Sequence, residues 1–160
     1  MGWNVSAEVI AFIIVLVISV YSRQSHAVPS PKNRVFRLCL ATRLGALGTN
    51  LASTLLIAYA PLELLPLTYL VTLCYFVRTP LLGTVYFYYA VAVVSEARPV
   101  GRAFVLASGV PCAAYFLLVL ANVPTGCLFS FDAAGVYMQG PLIIATYLVF
   151  YFYCVACFAL

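Results

Sequence analysis

An arginine in the middle of an apolar run is the residue in this sequence best placed to do chemistry. Residues 66–94 (PLTYLVTLCYFVRTPLLGTVYFYYAVAVV) are almost wholly apolar, yet Arg78, Thr79 and Pro80 stand at their centre. As a helix rising ~1.5 Å per residue, the run reaches ~43 Å, enough to cross a ~30 Å hydrocarbon core with tilt. The Arg78 guanidinium then falls near mid-membrane, where a charge costs at least ~2.5–3.5 kcal/mol and must face protein or water. Pro80 has no N–H and its ring crowds the Phe76 carbonyl, so a kink is expected there, with a free carbonyl beside the arginine. Two roles fit Arg78. It can be purely structural, bonding Asn50, a tyrosine hydroxyl and the Phe76 carbonyl. It can also contact a ligand, in a polar centre made of Arg78, Asn50 and Thr79. No acidic side chain lies at matching depth in the sequence, which favours an anionic ligand or a carboxylate from elsewhere.

Other chemistry is sparse. The sequence has no paired carboxylates, no Ser/His/Asp constellation, no phosphate-binding glycine loop and no metal cluster, so neither catalysis nor a cofactor or metal is expected. Cys39, Cys74, Cys112, Cys154 and Cys157 fall in apolar stretches, where a thiol acts as a small hydrophobe. Cys154 and Cys157 form a C-x-x-C, but no histidine or carboxylate lies nearby to complete a metal site. Cys127 sits in a loop without a loop partner. The single histidine, His26, reads as an ordinary solvated loop residue rather than a pH sensor. Glu8, Glu63 and Asp132 read as outer-surface charges. The aromatic patches Tyr86 to Tyr89 and Phe150 to Tyr153, with Tyr147, could line a pocket; interfacial belts and helix packing account for most of them more simply.

The elements that must position Arg78 are helices in a membrane. The chain of 160 residues is 66% hydrophobic and 8% charged, with a mean hydropathy of +1.10. Soluble domains are usually about a quarter charged. The ~10-residue alternation of barrel strands is absent. A net charge of +4, scattered along the chain, does not suggest nucleic acid. The expected fold class is all-α, a polytopic bundle of five transmembrane helices covering residues 7–21, 38–60, 66–94, 103–121 and 141–160. Ser6 can cap the first helix, and Trp3 and Tyr21 bracket it as interfacial anchors. Along the second, Ala41, Gly45, Thr49 and Ser53 recur every four residues, a small-residue face that lets another backbone approach, the expected partner being the third span near Arg78. Arg43 is close enough to the basic loop to snorkel to the headgroups. A bend is expected at Pro111, and Pro141 suits the first turn of the last helix.

Arg23, Lys32, Arg34, Arg37, Arg98 and Arg102 lie in the loops after the first and third spans, while the other loops hold Glu63 and Asp132 and no basic residue. The positive-inside rule then puts the N-terminus outside.

Near the end, Asn122, Leu128-Phe129 and Tyr137-Met138-Gln139-Gly140-Pro141-Leu142, followed by Tyr147 and Tyr151, form a suggestive series. It resembles the N-terminal seven-helix membrane region of some bacterial histidine kinases and GGDEF-type diguanylate cyclases. There an Asn-Pro-x-His-x-x-Leu-Phe loop leads into a Tyr-x-x-Gly-Pro-Leu helix start. Val123 stands here where that pattern has proline, and Thr125 where it has histidine. The resemblance covers about thirty residues and implies a sensory input region joined to a cytoplasmic signalling domain. On it rests the expectation that residues 1–160 are a single transmembrane input domain of the bacterial inner membrane, not itself an enzyme. The expected partners are the lipid bilayer, a small or anionic ligand and a second copy dimerised through a cytoplasmic domain. The reading frame is expected to continue past Leu160 with further hydrophobic segments and that domain. Two other readings stand beside it: a fragment of a transporter or channel, which would need polar groups on several spans and usually a repeat, and a small membrane scaffold protein in which Arg78 is structural.

Overall fold

The computed structural model describes residues 6–24 and 31–160. Trp3 and His26 lie outside the described residues. The fold is mostly helical: α1 (Ser6–Gln24), α2 (Pro31–Tyr59), a 3-10 turn (Leu62–Leu64), α3 (Leu65–Val94), α4 (Arg102–Ala107), α5 (Val110–Thr125), a hairpin of β1 (Phe129–Phe131) and β2 (Tyr137–Gln139), and α6 (Ile144–Phe158). Glu8 in the first turn of α1 and Arg23 in its last complement the helix dipole.

Three helical stretches are long and apolar enough to cross a membrane: Ser6–Gln24, Leu62–Val94 and Arg102–Thr125. Of the five spans expected, these three meet both the length and the apolarity that a crossing asks for. α2 has the length, at 29 residues, but Arg43, Asn50 and several hydroxyl and glycine residues dilute its hydropathy. α6 is apolar, but its 15 residues rise only ~22 Å, short of the ~20 residues that a crossing requires. The loop expected over residues 22–37 is also shorter. Lys32, Arg34 and Arg37 belong to the first turns of α2, which opens on Pro31, a residue suited to that place.

α2 and α3 lie antiparallel along most of their length. Lys32 pairs with Glu96 at 3.1 Å, the Phe36 and Tyr89 rings meet at 5.9 Å, and the Ser53 and Thr72 hydroxyls share a hydrogen bond of 2.9 Å. The face that α3 buries carries Thr68, Thr72, Phe76, Pro80 and Thr84, one residue every four. α5 and α6 pack on α3 through two apolar clusters, one around Phe76, Tyr115 and Phe129, the other around Phe87, Cys112 and Tyr153. α1 packs against α2 and buries no residue of its own; Ile10 and Val17 are 59% and 62% exposed. Apolar surface of that extent is what lipid, rather than water, would cover.

Two prolines act differently. α3 runs without interruption through Pro80; Thr79 and Thr84 donate their hydroxyls to the Tyr75 and Pro80 carbonyls, each at 3.0 Å. The stretch expected to bend at Pro111 instead breaks at Ser108 and Gly109, which leaves Pro111 in the first turn of α5, where its missing N–H costs nothing. Tyr153, fully buried on α6, closes the break. Its hydroxyl donates to the Ser108 carbonyl at 2.6 Å and accepts from the Cys112 N–H at 3.3 Å.

The end of α1, the start of α2, the end of α3 and the start of α4 share one end of the bundle, which therefore carries Arg23, Lys32, Arg34, Arg37, Arg98 and Arg102. The hairpin and Glu63 occupy the other end, where Gly135 of the hairpin turn lies against Leu62 and Leu65.

Candidate functional site

The hairpin sits over the bundle because its chain is locked from below. α5 ends on Gly126, which adopts φ 63°, a left-handed conformation that suits glycine. The chain then turns back across Asn122, which is fully buried. Its Oδ1 accepts from the Leu128 and Phe129 N–H groups at 2.6 and 3.1 Å, and its Nδ2 donates to the Tyr69 hydroxyl at 3.4 Å. Leu128 and Phe129 are fully buried beneath the hairpin, with Phe129 stacked on Phe76 at 4.9 Å. Gly140 passes against the Cys127 backbone, where a side chain would not fit, and its N–H donates to the Leu128 carbonyl at 2.8 Å. Tyr137 lies across from Phe131 in the ladder and stacks near Phe129 at 6.1 Å. Pro141 is exposed and begins the turn into α6. The residues of the family-like series thus form one folded corner, and each contact is structural.

Under that corner lies a cavity of about 210 Å³ between α2, α3, β2 and α6. Asn50, Ser53 and Thr54 line it from α2; Thr72, Tyr75 and Thr79 from α3; Tyr137 and Gln139 from the hairpin; Thr146 and Tyr147 from α6. A lining so rich in hydroxyls and amides inside an apolar bundle offers several donors and acceptors to one small guest, with Phe76 and Ile143 as its apolar wall. Some of these groups are already committed: Ser53 to Thr72, and Thr146 to Tyr115 at 2.7 Å. Burial is the main cause that pushes the Tyr137 hydroxyl up to about 12, so it stays neutral and able to donate near neutral pH.

Asn50 and Thr79 therefore share this cavity. Arg78 does not line it: its guanidinium lies on α2 against Gly45, where even one added methyl would overlap it. Among the described residues Arg78 makes no hydrogen bond or ion pair, and no bond joins it to Asn50 or to a tyrosine. The four residues of the small face divide. Gly45 and Ser53 meet α3, Thr49 returns its hydroxyl to the Gly45 and Ala46 carbonyls of its own helix at 2.9 and 3.1 Å, and Ala41 borders a crevice toward α1.

Glu8, expected with Glu63 and Asp132 as an outer-surface charge, is a correction. Its side chain is half-buried, its Oε2 is buried without a hydrogen-bond partner among the described residues, and it lies close enough to Tyr75 to interact electrostatically. An acidic group therefore does approach the polar centre. Thr72, Tyr75 and Thr146 are not among the expected site residues, and Tyr153, expected only as part of an aromatic patch, is core. The four-residue spacing of Thr68, Thr72, Phe76, Pro80 and Thr84 was the signal that complements the spacing seen on α2. Of the aromatic patches, Phe87 and Tyr153 are core, Tyr147 lines the cavity, and Tyr86, Tyr151 and Phe152 are exposed. Cys154 and Cys157 are half-buried free thiols.

No family model, characterised protein or solved structure matches this chain.

Proposed function

We propose that the chain is a membrane-embedded sensory input module, in which a small polar or amphiphilic ligand occupies the cavity beneath the hairpin. The observation that carries this reading is the cavity itself, lined by Asn50, Ser53, Thr54, Thr72, Thr79 and Gln139; Arg78, next to Thr79 in the chain, has no pair among the described residues. Ser53, Thr72 and Thr79 are satisfied within the bundle, which leaves the Asn50, Thr54 and Gln139 side chains, without a hydrogen bond among the described residues, to meet a guest. In this reading α2 and α6 cross the bilayer together with the three more apolar helices. α2 tolerates its polar residues because they face α3, and α6 reaches the surface by tilt and local thinning. The basic end faces the cytoplasm of a bacterial inner membrane, which places the hairpin outside. Ligand in the cavity bears on α2, α3 and α6 at once, and α3 connects it to the cytoplasmic end through Glu96 and Lys32. The output is then read by a cytoplasmic kinase or cyclase domain, which dimerises, and this chain contributes no catalytic group. The resemblance of the hairpin corner to bacterial sensor regions points the same way.

The test is a fusion of the chain to a diguanylate cyclase catalytic domain, assayed in cells with Thr54→Phe, which fills the cavity, and with Arg78→Ala. Altered cyclic-dinucleotide output at unchanged membrane abundance is the expected result. Unchanged output from both variants at equal abundance would leave the bundle a scaffold.

A further inference from the structure

A second cavity opens at the other end of the molecule, between α1 and α2. It measures about 740 Å³, within the range of roughly 300–1,000 Å³ that small-molecule sites occupy. Its lining is graded. Arg23 from the last turn of α1 and Arg37 from the second turn of α2 stand at the mouth, and Phe12, Leu40 and Leu44 form an apolar wall that deepens toward Gly45. Ser19 lies between the two, and its Oγ is buried without a hydrogen-bond partner among the described residues.

Each part asks for a different portion of one guest. Two guanidinium groups are forked donors that match a phosphate and cannot lose their charge. Neither Arg23 nor Arg37 forms an ion pair among the described residues, which leaves both guanidinium groups for a guest. An unpartnered hydroxyl just below them can donate to an ester or phosphodiester oxygen. The apolar wall below that accepts methylenes and nothing polar. Since α1 packs mainly on α2 and buries no residue of its own, its other faces are open to lipid, as lipid entry requires.

We propose that this crevice is a binding site for an anionic phospholipid, with the phosphate held between Arg23 and Arg37, a headgroup or ester oxygen on Ser19, and an acyl chain along Phe12, Leu40 and Leu44. Basic pockets between membrane helices on the cytoplasmic side commonly hold acidic headgroups. The proposal rests on the reading that these helices lie in a bilayer, but not on the cavity beneath the hairpin or on any signalling role. Gly45 borders this crevice and also receives Arg78, so an occupied site would bear on the α2 turn that carries the intramembrane arginine.

Native mass spectrometry of the full chain in detergent tests it, with phosphatidylglycerol and phosphatidylcholine of identical chains as probes and glycerol 3-phosphate as the chain-free phosphate. Selective retention of phosphatidylglycerol is expected. Arg23→Gln with Arg37→Gln should weaken it about thirty-fold, whereas Arg98→Gln with Arg102→Gln, at the same end but outside the crevice, should leave it within about two-fold. Leu44→Trp, which keeps every charge and fills the apolar wall, should also abolish retention. Equal losses from both arginine pairs would reduce the effect to surface potential and overturn the site. So would equal affinity for phosphatidylcholine, unaltered retention in Leu44→Trp, or binding of glycerol 3-phosphate as tight as that of the lipid.

Discussion

Gly140→Ala adds one methyl group at the point where the hairpin turns back into α6. The new Cβ would overlap the Cys127 carbonyl and stand 2.7 Å from the Gly126 carbonyl oxygen, and all of these are backbone atoms that no rotamer change can move. Relief requires the two chain segments to separate. The separation strains two hydrogen bonds, from the Gly140 N–H to the Leu128 carbonyl at 2.8 Å and from the Leu142 N–H to the Cys127 carbonyl at 2.9 Å. It also disturbs the register in which Leu128 and Phe129 present their N–H groups to Asn122. Overpacking of this kind costs ~1–3 kcal/mol and each of the two hydrogen bonds ~1 kcal/mol, which together give ~3–5 kcal/mol of destabilisation. Gly101→Ala is the matched reference, because nothing lies within 4 Å of the added atom; that change should stay within ~0.5 kcal/mol of the parent. Both variants can be compared by equilibrium unfolding in mixed detergent micelles. A Gly140→Ala protein as stable as Gly101→Ala would refute the close approach, and with it the account of the corner as a locked lid.

Tyr153→Phe removes one oxygen and leaves the Ser108 carbonyl and Cys112 N–H of the α4–α5 break unpaired. The expected cost is ~1–3 kcal/mol, with faster amide exchange at Cys112; an unchanged exchange rate there would show that the break is closed by something else. For orientation, a membrane-impermeant maleimide applied to intact cells should label Asp132→Cys and spare Asn33→Cys in a cysteine-free background. The reverse pattern would invert the proposed topology.

The apolar helices were legible because composition alone requires them, and α1, α3 and the α4–α5 stretch fall close to where hydropathy puts them. α2 and α6 show where that signal fails. α2 is long but polar enough on one face to look less like a span, and α6 is apolar but short. The start of α2 was misplaced because Lys32, Arg34 and Arg37 look like loop residues, although basic side chains are equally at home on exposed helix turns. Pro111 drew attention to the right region, yet the break falls at Ser108–Gly109 because a proline is harmless only once it stands in a first turn. The hairpin leaves no strand signal in the sequence, because its strands are three residues each, too short to leave a period. Asn50, Thr79 and Arg78 could be picked out as polar residues in apolar surroundings. Thr72 and Thr146 could not, since a threonine in a membrane helix usually satisfies its hydroxyl on its own backbone and carries no distinctive pattern. The position of Glu8 depends on how α1 docks on α2, a tertiary fact that first-turn reasoning does not contain.

The central claim, that the cavity under the hairpin holds a small molecule, is tested most directly by what leaves the protein when it is denatured. The purified full chain and Thr54→Phe, prepared identically, would be extracted with organic solvent and compared by mass spectrometry, with lipids common to both set aside. Filling a cavity of about 210 Å³ should exclude its guest without unfolding the bundle. The account predicts a species present in near-stoichiometric amount with the parent chain and depleted at least ten-fold in Thr54→Phe at equal helicity. Identical extracts from the two proteins would contradict it.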